Sequence, residues 1–260
     1  MSWFLFLPDI SSDLPVRGLA RGSISPAEPL SLFLPERHHQ RGGEDTETER
    51  PDPEEEEFLV DLLSEWTGGL DPLQQRISIF THIRDIPYAI VPEWRDGTQI
   101  IRRMIEENRG WCGPKHHLLA RLFQRTGIET RMVFIPFRWQ DQQVRYPAEL
   151  TAALPLLPDT LHLCCRARLG ESWPLIDATW DPPLQTAGFP VNTDWDGLSG
   201  TLPAVRTRDG ITGGCRQVRV SPEIHRLRAG FVPSLNAWLE ELRNGKRKGN
   251  SGRSPQQDRI

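Results

Sequence analysis

The stretch from Arg109 to Gly127 constrains this chain more than any other. It sets Cys112 between Trp111 and Gly113, follows them with Pro114, and then places Leu118, Leu119, Leu122 and Phe123 at helical spacing. Proline suits the first turn of a helix, where its missing N–H has no partner to lose. Gly127 suits the position just past the last turn. The spacing therefore predicts a helix that begins at Cys112. At a helix start, free N–H groups and the macrodipole favour a thiolate over a thiol. Position alone does not separate this from the commoner fate of a free cysteine, which is to act as a small buried hydrophobe. A nucleophile there needs a base to take its proton and a third group to orient the base.

The chain supplies both further on. Two strand-like runs, Thr160–Arg168 and Ser172–Thr179, flank Leu169, Gly170 and Glu171 and predict a hairpin. A two-residue loop at Leu169 and Gly170 sets His162 directly opposite Asp177. A loop at Gly170 and Glu171, with glycine first as in a type II′ turn, makes them diagonal neighbours. Either register projects both side chains from one face, about 4.5–8 Å apart at Cβ. The aspartate would accept a hydrogen bond from the imidazole, fix its tautomer and raise its basicity. Cys112, His162 and Asp177 are the candidate catalytic residues, and the amides around Cys112 and Gly113 would face the oxyanion of a tetrahedral intermediate.

The rest of the chain reads as support for this pair of elements. Residues 1–57 form an N-terminal extension, with apolar patches at Trp3–Leu7 and Leu30–Leu34 and an acidic linker from Glu44 to Glu57. Helices are predicted over Phe58–Thr67, after the Asp71 cap and Pro72 up to Pro87, and from a Thr98 cap through Ile105. A strand follows over Ile128–Pro136. Arg138–Pro158 is polar and broken by proline, with one turn of helix near Ala148–Leu154, and is expected to be a flap beside a groove. Leu202–Val220 is expected to add one or two strands. The main domain spans 58–220, and 221–260 holds a short helix, Pro233–Leu242, and a disordered basic tail.

Composition excludes several functions. A net charge of -4 gives no reason to expect nucleic acid as a partner. No apolar run reaches the roughly 18 residues that a membrane helix needs. The four cysteines form neither a secreted disulfide framework nor a C-x-x-C pair, so a reducing, cytoplasmic setting is expected. Cys112 with His116 lacks the further spaced ligands of a metal site, and neither metal nor cofactor is expected. Lys115 reads as a charge on the helix surface, and Cys164, which shares parity with His162, as a packing residue.

Three segments together are similar to the transglutaminase-like superfamily, in the form of a bacterial-type stand-alone domain. Arg109 to Lys115, then Leu118 and Leu119, then Thr126 to Arg131 resemble its Gly-x-Cys segment, its Leu-rich helix and its Gly-Ile-x-x-Arg entry to the first strand. Leu161 and His162 resemble its histidine strand, and Trp173 to Thr179 its Trp-x-x-x-Asp-x-Thr aspartate strand. Ile83 to Tyr88 is similar to its lead-in. The resemblance covers about 58–200. It implies an α+β, papain-like fold in which N-terminal helices include the nucleophile helix packed on an antiparallel sheet. It also implies acyl chemistry on a peptide, protein or small amide through a thioester, with hydrolysis favoured over cross-linking. Some members are catalytically silent and serve as binding or scaffold proteins, and that alternative stays open. The extra oxyanion donor of the family is an indole or amide upstream of the cysteine, for which Trp94 and Trp111 are the candidates. Cys112 is expected to react with a thiol probe faster than Cys164, Cys165 and Cys215, and His162→Ala to slow it. Timed labelling with peptide mapping reads this, and equal labelling unaffected by the substitution contradicts a catalytic role.

Overall fold

The computed structural model describes residues 52–94, 99–207 and 222–250, with side chains of the last helix from 226 to 245. The expectations for Trp3–Leu7, Leu30–Leu34, the acidic run before Asp52, the Thr98 cap, Cys215, strands within 208–220 and the tail beyond Asn250 lie outside the described residues.

Helix α1 (Pro53–Thr67) starts where the Asp52 side chain accepts the Glu54 N–H at 3.1 Å. Its first turn holds Glu54, Glu55 and Glu56, so the end of the supposed linker is helix, with carboxylates at the positive end of the dipole. Helix α2 (Pro72–Asp85) follows through a capping box between Asp71 and Gln74 and stops two residues before Pro87. Then come α3 (Ile100–Glu106) and α4 (Cys112–Arg125), the latter starting at Cys112 as its spacing predicts. Leu118, Leu119, Leu122 and Phe123 on α4 are fully buried. Glu55 and Glu56 of α1 pair with Arg121, and Glu56 also with Arg125, which ties the two helices together.

Strands β1 (Thr130–Phe137), β2 (Thr160–Ala167) and β3 (Leu175–Ile176) form an antiparallel sheet in that order. Alternation along β2 feeds two cores. Cys165 and Ala167 join Ile176, the α4 stripe and Leu59, Ile79, Phe80 and Ile83. Cys164 joins Val133, Ile135 and Leu175 in a second core with Trp180, Phe189, Leu235 and Leu239. The fold is α+β, with the helix that starts at Cys112 packed against the sheet.

β3 is shorter than the run Ser172–Thr179 suggested, for a physical reason. The N–H that would extend its ladder with β2 is taken elsewhere: Ala178 donates to His116 Nε2 at 3.0 Å, while the Asp177 N–H, on the opposite edge, donates to Thr201 Oγ1 at 2.8 Å. Residues 202–207 contain no strand.

The segment Arg138–Pro158 is not a loose flap. It carries α5 (Ala148–Ala153), and Trp139, Leu150 and Leu154 are buried in the second core. These anchors are few and irregularly spaced, so periodicity misses them.

The last helix, α6 (Pro222–Asn250), is far longer than Pro233–Leu242. Arg243, read as part of a disordered tail, is buried, with its guanidinium gripping Asp181 through Nε at 2.8 Å and Nη2 at 2.9 Å. The same Nη2 donates to Tyr88 O at 2.9 Å, and the Tyr88 N–H donates to Asp181 Oδ1 at 2.9 Å. Asn236 adds a strand-like pair to Ile90, donating to its carbonyl at 2.8 Å and accepting its N–H at 3.1 Å. Helix α6 thus holds the extended piece after α2, which a basic composition could not reveal. Arg243→Ala leaves Asp181 buried without its counter-charge and is expected to cost about 3–5 kcal/mol in urea unfolding. Replacing both partners by apolar residues of similar size is expected to cost much less.

Candidate active site

The approach to Cys112 is fixed by backbone pairing. Gly110 N–H donates to Pro87 O at 3.0 Å, and Ala89 N–H donates to Gly110 O at 2.9 Å. A Cβ on Gly110 would lie 2.7 Å from Met104 Cγ and Sδ, so only glycine allows this closeness. Trp111 is extended and caps α4 without a side-chain bond. Its indole folds back over Gly113, where a Cβ would sit 2.9 Å from Nε1. Trp111 packs against both cores. Cys112 at this junction is partly exposed, whereas Cys164 and Cys165 are buried. The first amides of α4 have no acceptor within the helix.

Asp177 follows β3 directly. The pairs Cys165 with Ile176 and Arg166 with Leu175, and the bridge of Leu169 with Ser172, select the loop at Gly170 and Glu171. Gly170 takes the positive φ of 63° that this turn requires. Cys164 therefore falls opposite Asp177, and His162 is the diagonal neighbour. His162 Nε2–H donates to Asp177 Oδ2 at 2.8 Å, with His162 3% and Asp177 1% exposed. Asp177 Oδ2 also accepts the Ala204 N–H at 2.7 Å, and Oδ1 accepts the Thr179 hydroxyl at 2.6 Å.

Burial alone would lower the His162 pKa, but the Asp177 charge and hydrogen bond raise it well above the usual imidazole range. Burial would likewise raise the Asp177 pKa, yet His162 and its other donors hold that carboxyl well below the carboxylate range. Nε2 is committed to Asp177, so Nδ1 is the nitrogen left for a thiol. The Cys112 and Cys164 thiols add to the rise in the His162 pKa.

Two neighbours of Cys112 were missed in the sequence. Lys115 is not a surface charge. It is fully buried, and Nζ donates to the carbonyls of Arg84 at 3.0 Å, Ile86 at 2.9 Å and Thr179 at 2.7 Å. Burial lowers its pKa to about 7. His116 is also fully buried, with Nδ1 2.9 Å from Cys112 O and Nε2 accepting the Ala178 N–H. Its Nε2 lies 3.5 Å from Asp177 Oδ1, but a nitrogen that accepts an N–H carries no proton, so this approach is not an ion pair. No spacing rule singles out these residues, because their partners lie on α2 and beyond β3.

His162, Cys164 and Asp177 offer donor atoms within 4.8 Å of one another, enough to consider a metal. Their chemistry favours the hydrogen-bonded arrangement instead. Both Asp177 oxygens already accept protein donors, and burial pushes the Cys164 thiol up to about 11, away from the thiolate a metal takes. Trp94 is 3% exposed and packs at a tilt against Trp111, at 5.9 Å between ring centroids, so it buttresses the first core. Trp111 and Gly113, in contrast, flank Cys112.

No family model matches the chain, and no curated protein matches it. A solved structure described as a "Putative Cysteine Protease from Cytophaga hutchinsonii" is similar at 20% identity, with a TM-score of 0.33. The similarity covers 50% of this chain and 39% of that one. Among the described residues, no helix is long and apolar enough to cross a membrane.

Lys115 makes a pH prediction. Its folded pKa of about 7 lies below the 10.5 of a free lysine, so between those values the unfolded chain binds more protons and stability rises with pH. The stability of wild type relative to Lys115→Met is expected to rise with pH across that window, by roughly 3–5 kcal/mol. Urea unfolding of both proteins at stepped pH measures it.

Proposed function

We propose that this chain is a transglutaminase-like cysteine enzyme that opens a peptide or other amide bond through a thioester on Cys112. The observation that carries the reading is the buried 2.8 Å bond from His162 Nε2–H to Asp177 Oδ2. It orients the ring and leaves Nδ1 for a thiol, in a site where Cys112 begins a helix.

In this mechanism Nδ1 holds the proton given up by Cys112, as an imidazolium that Asp177 favours, and Sγ attacks the carbonyl carbon. The developing oxyanion is met by the first amides of α4, at Cys112 and Gly113, where the helix dipole adds to their pull. The imidazolium is stabilised by Asp177 and gives its proton to the leaving amine as the C–N bond breaks. Water, activated by the same Nδ1, then attacks the thioester and restores the thiol. An amine in place of water gives transamidation, and hydrolysis is the favoured outcome. The chemistry needs no metal or organic cofactor. A peptide, protein or small amide is the substrate, and a cytoplasmic setting would keep the thiol reduced.

The 3% exposure of His162 favours one rival reading, in which the fold serves as a silent binding or scaffold module. Digestion of an unbiased peptide library, with and without added amine, separates the two. Wild type is expected to cleave, and Cys112→Ala and His162→Ala to lower kcat by about 10⁴-fold or more. Asp177→Asn is expected to lower kcat with KM little changed, because the wrong imidazole tautomer is favoured. Cleavage that survives Cys112→Ala contradicts the proposal, and no turnover by a folded wild type on any peptide or amide favours the silent module.

A further inference from the structure

The mechanism above leaves one buried imidazole unused. His116 lies on α4 one turn after the nucleophile, fully buried, with its ring 5.9 Å from that of His162 and edge-on to it. A backbone N–H can only donate, so the 3.0 Å contact from Ala178 N makes Nε2 the acceptor and leaves the proton on Nδ1. Nδ1–H then donates to Cys112 O at 2.9 Å. One ring therefore grips the carbonyl of the nucleophile and the amide directly after Asp177.

We infer that His116 is a positioning residue for the Cys112 reaction, a neutral imidazole of fixed tautomer that couples the first turn of α4 to the segment carrying Asp177. The inference rests on the proposed role of Cys112 and goes beyond it. The groups that face His116 are Asp177 and His162 from the sheet side, and Lys115 and the Cys112 carbonyl from its own helix. Protonation would set an Nε2–H against the Ala178 N–H, donor to donor. The displaced proton would turn to Asp177 Oδ1, which lies 3.5 Å away and already accepts from Thr179. It would also bring a second positive charge beside His162. Burial opposes this and holds the His116 pKa down to about 4. One carboxylate thus sits between two histidines of opposite habit, the charge of His162 being favoured and that of His116 refused.

The test uses the full chain and two readouts, Cys112 modification by 2,2′-dipyridyl disulfide, which stays reactive in acid, and peptide cleavage, each from pH 3.5 to 8. His116→Phe keeps the buried volume and removes both hydrogen bonds, whereas His116→Gln keeps a donor and an acceptor without a titrating group. The phenylalanine variant is expected to lose on the order of 10- to 100-fold in kcat with KM within about 3-fold, the scale of a misplaced reacting group. The glutamine variant is expected to recover most of that loss and to lack the fall in Cys112 reactivity that wild type shows on acidification through about pH 4. A folded phenylalanine variant with wild-type rates and an unchanged pH profile overturns the inference. Should that variant fail to fold, an unchanged acid limb in the glutamine variant overturns it equally. His162→Ala is the control: if it leaves Cys112 reactivity unaltered, the catalytic reading fails, and not the role of His116 alone.

Discussion

Asp177 is a carboxylate buried to 1% exposure, and the surrounding structure is arranged to keep it charged. An isolated buried charge costs far more than a domain can spare unless it is paired and hydrogen-bonded. His162, Thr179 and Ala204 donate to its two oxygens, while its own N–H and carbonyl are held by Thr201 and Asn192. These bonds bind the 192–204 loop to the edge of β3 that faces away from β2.

The first turn of α4 docks onto that same segment by polar contacts as well as by packing. Lys115 reaches Thr179 O, and His116 reaches the Ala178 N–H, so consecutive side chains after Cys112 hold consecutive residues after Asp177. A buried ammonium with three carbonyl acceptors has its three protons satisfied. Behind this, Arg243 and Asp181 anchor α6 to the Tyr88 backbone, and Gly110 pairs with the same extended piece. Cys112 and Asp177 are therefore held by buried charged groups, Lys115 and Asp181, that lie within a few residues of each.

Legibility in the sequence followed the range of the interactions. The α4 start, its apolar stripe, the Asp71 cap and the hairpin depend on neighbours within a few residues, and the capping and spacing of Cys112–Arg125 were readable. The loop at Gly170 and Glu171 was one of two registers the sequence allowed, and a glycine with positive φ decided between them. Lys115, His116 and Arg243 have partners on other elements, so a local reading took Lys115 as a surface charge and Arg243 as part of the tail, and found no role for His116. Cys164 was readable by parity as a neighbour of His162. Its place opposite Asp177 needed the register.

The central claim is a thioester on Cys112, formed with His162 as the base. Rapid mixing with an activated acyl ester, followed by intact-mass measurement and peptide mapping, tests it most directly. The account predicts one acyl group on Cys112, formed in a burst in wild type and lost in His162→Ala, with none on the buried Cys164. An adduct spread over several cysteines, or one on Cys112 that forms as fast without His162, would contradict it.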